Sequence, residues 1–420
     1  MRRRGGRSSS SPWGMALLVA LTGCGDASGT DAGAGADEAE ASSGDTETET
    51  TDTETTDTDA TTSTTGVGEQ RPERLVVTAD WRAHRLSLVD HAALLAGAQT
   101  REDALWKTIE LPGHEPGPLE VELTPDGTRA LVAVAPGFFG GPVGSLVGAP
   151  IGSVPETGSL LVVELDTGTV LADIQTTELP MGIAVEPDGS AAWTANFGGE
   201  SVPGFSVDRV DLQDFSVTAY ETAERPEQID IEATGQRLIV SCAAGQAGAV
   251  AFLDDPQGGL HTTFYLAGDP SWIFFLDDFE RRAVVVRSFG GNGDSGNYTL
   301  LDVSYPIDAD TLAVEDLDGI PYAGAKGLAE DEIVVTALVG AGVQVSRYHI
   351  DNGVLLQSIT IPVSGFPLGV SVDAQSRTAL VPLPGANALA VVDFDAGEAR
   401  VLPWQDEPGP TYLALEGASP

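Results

Sequence analysis

The stretch Pro180-Met-Gly-Ile-Ala-Val-Glu-Pro-Asp-Gly-Ser-Ala-Ala-Trp193 decides the fold. A proline opens a short alternating run, Pro187-Asp188-Gly189 supplies a turn, and a second apolar run follows. Asp-Gly tolerates the positive φ that tight hairpins demand, and period-two alternation marks the flanking strands. Working outward, the same unit stands at Pro118-Leu-Glu-Val-Glu-Leu-Thr-Pro-Asp-Gly-Thr-Arg-Ala-Leu-Val132. It returns at Pro226-Glu-Gln-Ile-Asp-Ile-Glu-Ala-Thr-Gly-Gln-Arg-Leu-Ile-Val240. Weaker copies start at Pro270, Pro321, Pro367 and Pro410, which makes the intervals 62, 46, 44, 51, 46 and 43 residues. Later strands of a unit close on a second turn, as in Leu161-Val-Val-Glu-Leu-Asp-Thr-Gly168 and Ala390-Val-Val-Asp-Phe-Asp-Ala-Gly397.

Four short strands in a unit of about 40–50 residues is the arithmetic of a β-propeller blade. Six intervals make six blades. Three further strands lie near Leu75–Ala79, Arg85–Val89 and Thr108–Leu111, and one more lies near Thr411–Glu416. Joining the last strand to the first three completes a seventh blade and hides sheet edges that would invite aggregation. The expected fold class is therefore all-β, a seven-bladed propeller over residues 69–420. An open β-solenoid is the alternative, but its repeats are shorter.

Composition narrows the partners. The 420 residues include 63 acidic and 21 basic side chains, a net charge of −42, which excludes a nucleic-acid partner. Two cysteines cannot build a disulfide framework, a c-type haem site or a Cys-rich zinc site. Counts of 50 Gly and 26 Pro match a turn-rich, many-stranded chain.

Residues 1–23 read as a lipoprotein signal peptide, with an Arg-rich lead and the apolar run Met15-Ala-Leu-Leu-Val-Ala-Leu21. Translation starts at Met1 or at Met15. Seven apolar residues are too few to span hydrocarbon. Leu21-Thr22-Gly23-Cys24 resembles the bacterial lipobox, with small residues before a cysteine whose thiol takes the lipid. Cys24 is thus the expected lipidated first residue of the mature chain, and Gly25 after it favours the outer membrane. Residues 24–68 form a Thr/Asp/Glu-rich stretch read as a disordered tether. Residues 26–66 alone hold 12 acids and no base, too little apolar surface to offset ordering entropy. The rest of the chain still carries 51 acids against 17 bases. Membrane contact is expected only through the lipid, with the chain a monomer.

The Pro-x-x-strand-Pro-Asp-Gly-strand pattern resembles the YVTN/lactonase-like propeller repeat family, most clearly at Pro118–Val134 and Pro180–Asn196. The resemblance implies seven blades. It also admits a lactonase- or lyase-like enzyme, or an accessory subunit of an envelope redox system, because that family includes enzymes, cofactor-enzyme subunits and binding scaffolds. The units at Pro270 and Pro321 lack Pro-Asp-Gly and carry Asp277-Asp278 and Glu330-Asp331 near the turn instead.

No catalytic, cofactor or metal signature emerges. The histidines His84, His91, His114, His261 and His349 have no ligand spacing and read as surface or loop residues. Asp308-Ala-Asp310 and Glu315-Asp-Leu-Asp-Gly319 match no calcium loop. Gly293-Asp-Ser-Gly296 imitates a serine-protease signature but lies in a Gly-rich loop without a partner His. Cys242, in Leu238-Ile-Val-Ser-Cys, reads as a small core residue. The Pro118–Pro180 interval exceeds its neighbours by about 16 residues, and long connections in compact domains are often functional. The excess is Pro136–Pro150, with Phe138 and Phe139, between the second and third strands of its blade. Equivalent connections carry Asp80, Trp81, Arg82, Asn196, Phe197 and Phe289. The loops leading into innermost strands carry Glu115, Glu178, Arg225 and Asp269. The candidate ligand face is therefore Asp80, Trp81, Arg82, Phe138, Phe139, Asn196, Arg225 and Asp269. The expected function is a non-catalytic binding scaffold for an envelope protein or glycan.

Overall fold

Pro118, Pro180, Pro226 and Pro270 each stand first in an innermost strand, where a missing N–H leaves the ladder intact. In the computed structural model the described residues are 70–113, 117–136, 157–199, 202–243, 248–254, 260–266, 268–276, 282–288, 296–303, 310–363, 365–404 and 410–417. Of 254, 260–262 and 310–316 only the backbone is described. Cys24, Phe138, Phe139, His114, Glu115, Asp277 and Phe289 lie outside these residues.

The described residues build seven four-stranded antiparallel sheets, the blades of a propeller. Six are consecutive in sequence. Their innermost strands are Pro118–Leu123, Pro180–Val185, Pro226–Ile231, Pro270–Phe275, Ile320–Lys326 and Ser371–Asp373. The seventh sheet joins both ends of the described chain in the order Tyr412–Leu415, Leu75–Asp80, Arg85–Asp90, Leu105–Glu110. Val76 lies opposite Leu415 and Ala79 opposite Tyr412. Thr411 reinforces the joint, its hydroxyl donating to Ala79 O and Leu119 O, each at 2.8 Å.

The repeated turn has one chemistry. Gly127, Gly189 and Gly235 adopt φ of +66°, +72° and +71°. Their N–H groups donate to Thr124 O, Glu186 O and Glu232 O at 2.8, 2.7 and 2.8 Å. Asp126 and Asp188 brace the same turn by accepting from Thr128 N at 3.0 Å and Ser190 N at 2.9 Å. In the fifth blade Glu330 and Asp331 do occupy the turn, between Ile320–Lys326 and Glu332–Val339.

Burial follows position in the blade. Leu75–Asp80 is buried throughout, because both faces of an inner strand meet neighbouring blades. The outermost strand Thr169–Gln175 alternates between exposed and covered positions. Five innermost strands share an irregularity: the register slips just after Pro118, Pro180, Pro226, Pro270 and Pro321. Such bulges free backbone groups from the ladder and turn them elsewhere, here toward the channel.

Two short helices, His91–Leu95 and Arg101–Ala104, fill the connection between Arg85–Asp90 and Leu105–Glu110. Asp90 caps the first, and a Thr100–Asp103 capping box starts the second. The first helix corrects one expectation. His91 is buried, not a surface or loop residue, because this helix packs it near Asp373, with Nε2 3.7 Å from the carboxylate. No helix among the described residues is long and apolar enough to cross a membrane.

Tyr412, Leu413, Ala414 and Leu415 are all less than 10% exposed, and each buried leucine contributes roughly 1.5–3 kcal/mol. Deleting residues 410–420 removes that burial and uncovers Leu75–Asp80. The truncated chain is expected to aggregate or to lose its single cooperative transition in calorimetry. A melting curve matching the parent's would refute closure by this strand.

Candidate functional site

The expected face comes first. Asp80 is fully buried at the end of its strand. Its carboxylate accepts from Ser87 at 2.6 Å, Thr78 at 2.8 Å and the Trp404 indole at 3.2 Å. Asn196 occupies the equivalent place in another blade, between Thr194 at 3.0 Å and Ser206 at 2.9 Å. A threonine two residues back and a serine on the adjacent strand thus recur around both residues. Such recurrence marks a staple of the blade. Trp81 is 3% exposed and packs in the core with Leu119 and Tyr322. Arg82 beside it is half-buried. Arg225, at φ +56°, donates to Gly199 O at 3.1 Å and stands 5.1 Å from the Phe197 ring centre. Arg225 and Asp269 are brought together through one residue: both act electrostatically on Glu227.

Glu227 opens a cluster that the loop-centred reading missed. Glu120, Glu122, Glu227 and Asp230 all lie on innermost strands, and Glu120, Glu122 and Asp230 line the axial chamber. The signal was present in Pro118-Leu-Glu-Val-Glu and Pro226-Glu-Gln-Ile-Asp, which place carboxylates inside strands that should bury apolar side chains.

The cluster spans the channel. Glu120 accepts from Gln228 Nε2 at 2.7 Å, joining two blades that are not neighbours. Its other oxygen accepts from Ile183 N at 3.0 Å, a donor within the slipped segment after Pro180. Gly182 makes the crossing possible. A Cβ there would lie 2.7 Å from Glu227 O and 2.9 Å from Gln228 Cα. Trp272 stacks on Tyr412 at 6.0 Å between ring centres with 10° between planes. Tyr322 donates to Glu227 at 3.0 Å, leaving Glu227 Oε2 unpaired. The Tyr412 hydroxyl, on a residue 3% exposed, stands beside Tyr322 and Gln228 on the same side.

Glu120, Gln228, Trp272 and Tyr412 form a floor. Above it a cavity of about 420 Å³ extends to the Pro-Asp-Gly turns, with all seven innermost strands contributing to its wall. Glu122, Asp230, Lys326 and Ser371 line it. A second space of about 490 Å³, between the fifth and sixth blades, meets the first at Lys326 and Gly417.

Burial governs the acidities. Desolvation pushes Glu120 up to about 8, outweighing the hydrogen bonds from Gln228 and Ile183 N. Glu122 rises to about 7 by desolvation and the nearby Asp230 charge. Asp230 rises to about 6, desolvation exceeding the bond from Phe275 N and the pull of Lys326. Below the floor, burial and the Asp269 charge hold Glu227 well above the usual carboxylate range. Burial likewise raises Asp269 to about 7. Away from the channel, Cys242 is fully buried and its thiol is pushed up to about 12. Among the described residues, no three His, Cys, Asp or Glu side chains are grouped to hold a metal ion.

No protein-family model matches the sequence, and no curated protein matches it. Solved structures do resemble the fold. A functionally unknown protein from Desulfotomaculum acetoxidans aligns with TM-score 0.61 and 13% identity, over 81% of this chain and 98% of that one. Hydrazine synthase of Kuenenia stuttgartiensis aligns with TM-score 0.54 and 15% identity, over 78% and 92%. The dihydro-heme d1 dehydrogenase NirN in complex with DHE aligns with TM-score 0.54 and 13% identity, over 83% and 76%. The chain is a seven-bladed propeller similar in architecture to these proteins, and at such identities the likeness concerns fold alone.

Two measurements test the channel. Gly182→Ala forces backbone atoms apart and should cost about 1–3 kcal/mol in denaturant unfolding, typical of overpacking. An unchanged midpoint would refute the close crossing. The second concerns pH. Glu120 binds its proton more tightly folded than unfolded, so its contribution is fully present below about pH 4.5 and is lost as pH rises through about 8. Glu122, Asp230 and Asp269 act in the same direction, so the melting temperature should fall between pH 5 and 9. Glu120→Gln should flatten that fall, and an equal slope in parent and variant would contradict the buried, raised acid.

Proposed function

We propose that this chain is a lipid-anchored envelope protein whose propeller is a non-catalytic binding module, holding a small ligand in its axial cavity. The cavity carries the reading. At about 420 Å³ it falls in the size range of small-molecule sites, and its mixture of an aromatic floor with a few polar groups matches their composition. Leu21-Thr22-Gly23-Cys24 supports the anchor, with lipid on Cys24 and the outer membrane as destination. The repeat pattern supports kinship with YVTN/lactonase-like propellers.

The path of the chain supports an orientation. Arg71 donates to Gly127 O at 2.8 Å, within a Pro-Asp-Gly turn, and Leu75 N donates to Glu416 at 3.0 Å beside the cavity mouth. A tether reaching the propeller there leaves from the same end as the mouth, which would turn that mouth toward the membrane. A protein or glycan partner on the opposite end has less support, since Asp80, Asn196 and Trp81 are buried.

A lactonase- or lyase-like enzyme is the second reading, favoured by Glu227. A buried carboxyl whose acidity is raised by burial and by Asp269, with Tyr322 donating to it, has the character of a general acid. It lies beneath the floor, away from the cavity.

Cys24→Ala should move the protein from the membrane fraction to the soluble one, and unchanged membrane association would refute the anchor. Incubated with a small-molecule extract of its own cells, the parent should retain a ligand in native mass spectrometry. Ser371→Trp, which fills the cavity from a half-buried position, should abolish retention. Equal retention by both proteins would place binding elsewhere.

A further inference from the structure

We infer that the outermost strand of the fifth blade, Leu355–Ile361, is an interface at which two copies of this chain pair edge to edge, antiparallel. Two four-stranded sheets would then merge into one of eight. Every blade ends in an outermost strand with no neighbour on its far side in the sheet. Such edges are templates for pairing with another chain, and proteins guard them with charge. Six of the seven follow that rule, each containing an ionisable residue: Lys107, Asp173, Glu221, His261, Asp310 or Glu398. Leu355-Leu-Gln-Ser-Ile-Thr-Ile361 contains none, and neither does any other position between Asp351 and Asp373. In a chain whose residues are 20% charged, one edge alone is left bare.

A second observation is independent of charge. Val354, Leu355 and Leu356 are exposed in succession, the only such run of large apolar side chains among the described residues. Ser358 and Thr360 are exposed beyond them, whereas Ile359 and Ile361 are buried in the core. Arg347 donates to Gln357 at 3.0 Å, and Gln357 donates to Phe394 O of the next blade at 2.9 Å. The strand is thus held from behind, and an incoming strand meets an ordered template, which lowers the cost of association.

Charge selects the occupant. Beyond the tether the chain carries 51 acids against 17 bases. A basic partner would be held by that acidic surface, and a bare edge offers it nothing. A second copy has the same sign, and it meets least repulsion where neither surface is charged. The pairing uses one patch on both copies, so it closes at two, and the six guarded edges give no route to longer assemblies. A pair thereby replaces the monomer expected from the sequence.

Sedimentation equilibrium tests this on the full chain carrying Cys24→Ala, which removes the thiol that takes the lipid and leaves every propeller residue in place. That protein should sediment at the mass of two chains and dissociate on dilution. Adding Leu356→Lys with Thr360→Lys, or Leu356→Glu with Thr360→Glu, should weaken self-association at least tenfold while the melting temperature holds. Mixing the Lys and Glu variants should restore the pair, because opposite charges then meet across the joint. That rescue cannot arise from misfolding. The mass of one chain at every concentration, undiminished self-association in both variants, or a mixture that stays monomeric would each overturn the inference. If the protein is a monomer and instead binds phosphatidylethanolamine–phosphatidylglycerol vesicles through Leu356, the apolar run is a membrane contact and the inference falls as well.

Discussion

Everything in this molecule depends on one pairing, Tyr412–Leu415 against Leu75–Asp80. Seven wedge-shaped sheets make a ring only when every inner strand has a neighbour on both sides. Six blades are local in sequence and can form from nearby residues, but the closing blade spans more than 330 residues of chain. The joint is correspondingly reinforced. Thr411 ties the last strand to two blades, and Glu416 receives both Leu75 N and Arg71. Asp80 extends the tie to Trp404, just after the outermost strand of the sixth blade. Without that seam the axial cavity would be an open cleft.

Closure also dictates what lies on the axis. Each innermost strand presents the residue two places after its proline toward the channel. Those residues are Glu120, Gly182, Gln228, Trp272, Ala323, Gly369 and Tyr412. Large side chains from four blades and small ones from three fit together into a floor. The glycines are spatial requirements, as Gly182 shows by admitting the Gln228 backbone. Above the floor, Ala184 and Ser371 leave room that the remaining side chains do not fill. Seven blades of unequal side chains thus yield a chamber with a closed bottom and an open top.

The fold was legible because its signals are local. Pro180, Pro187, Asp188 and Gly189 act on their own φ and ψ, and a few copies suffice to set the period. The two helices after Asp90 were not legible, being four and five residues long and held by capping and by packing. The site was less legible than the fold. Loops drew attention because long connections and aromatic residues are conspicuous in sequence. Yet Asp80 and Asn196 prove to be equivalent members of a Thr–Asx–Ser staple, a relation visible only when strands are paired. Glu120 and Gln228 are 108 residues apart, and only ring closure brings them into contact.

A propeller has no structural need for acids on its axis. Leucine or phenylalanine at the positions of Glu120 and Glu227 would avoid the desolvation that raises both carboxyls. Chains keep such groups against their own stability chiefly where function requires them, and local rules of patterning fail most often at such places.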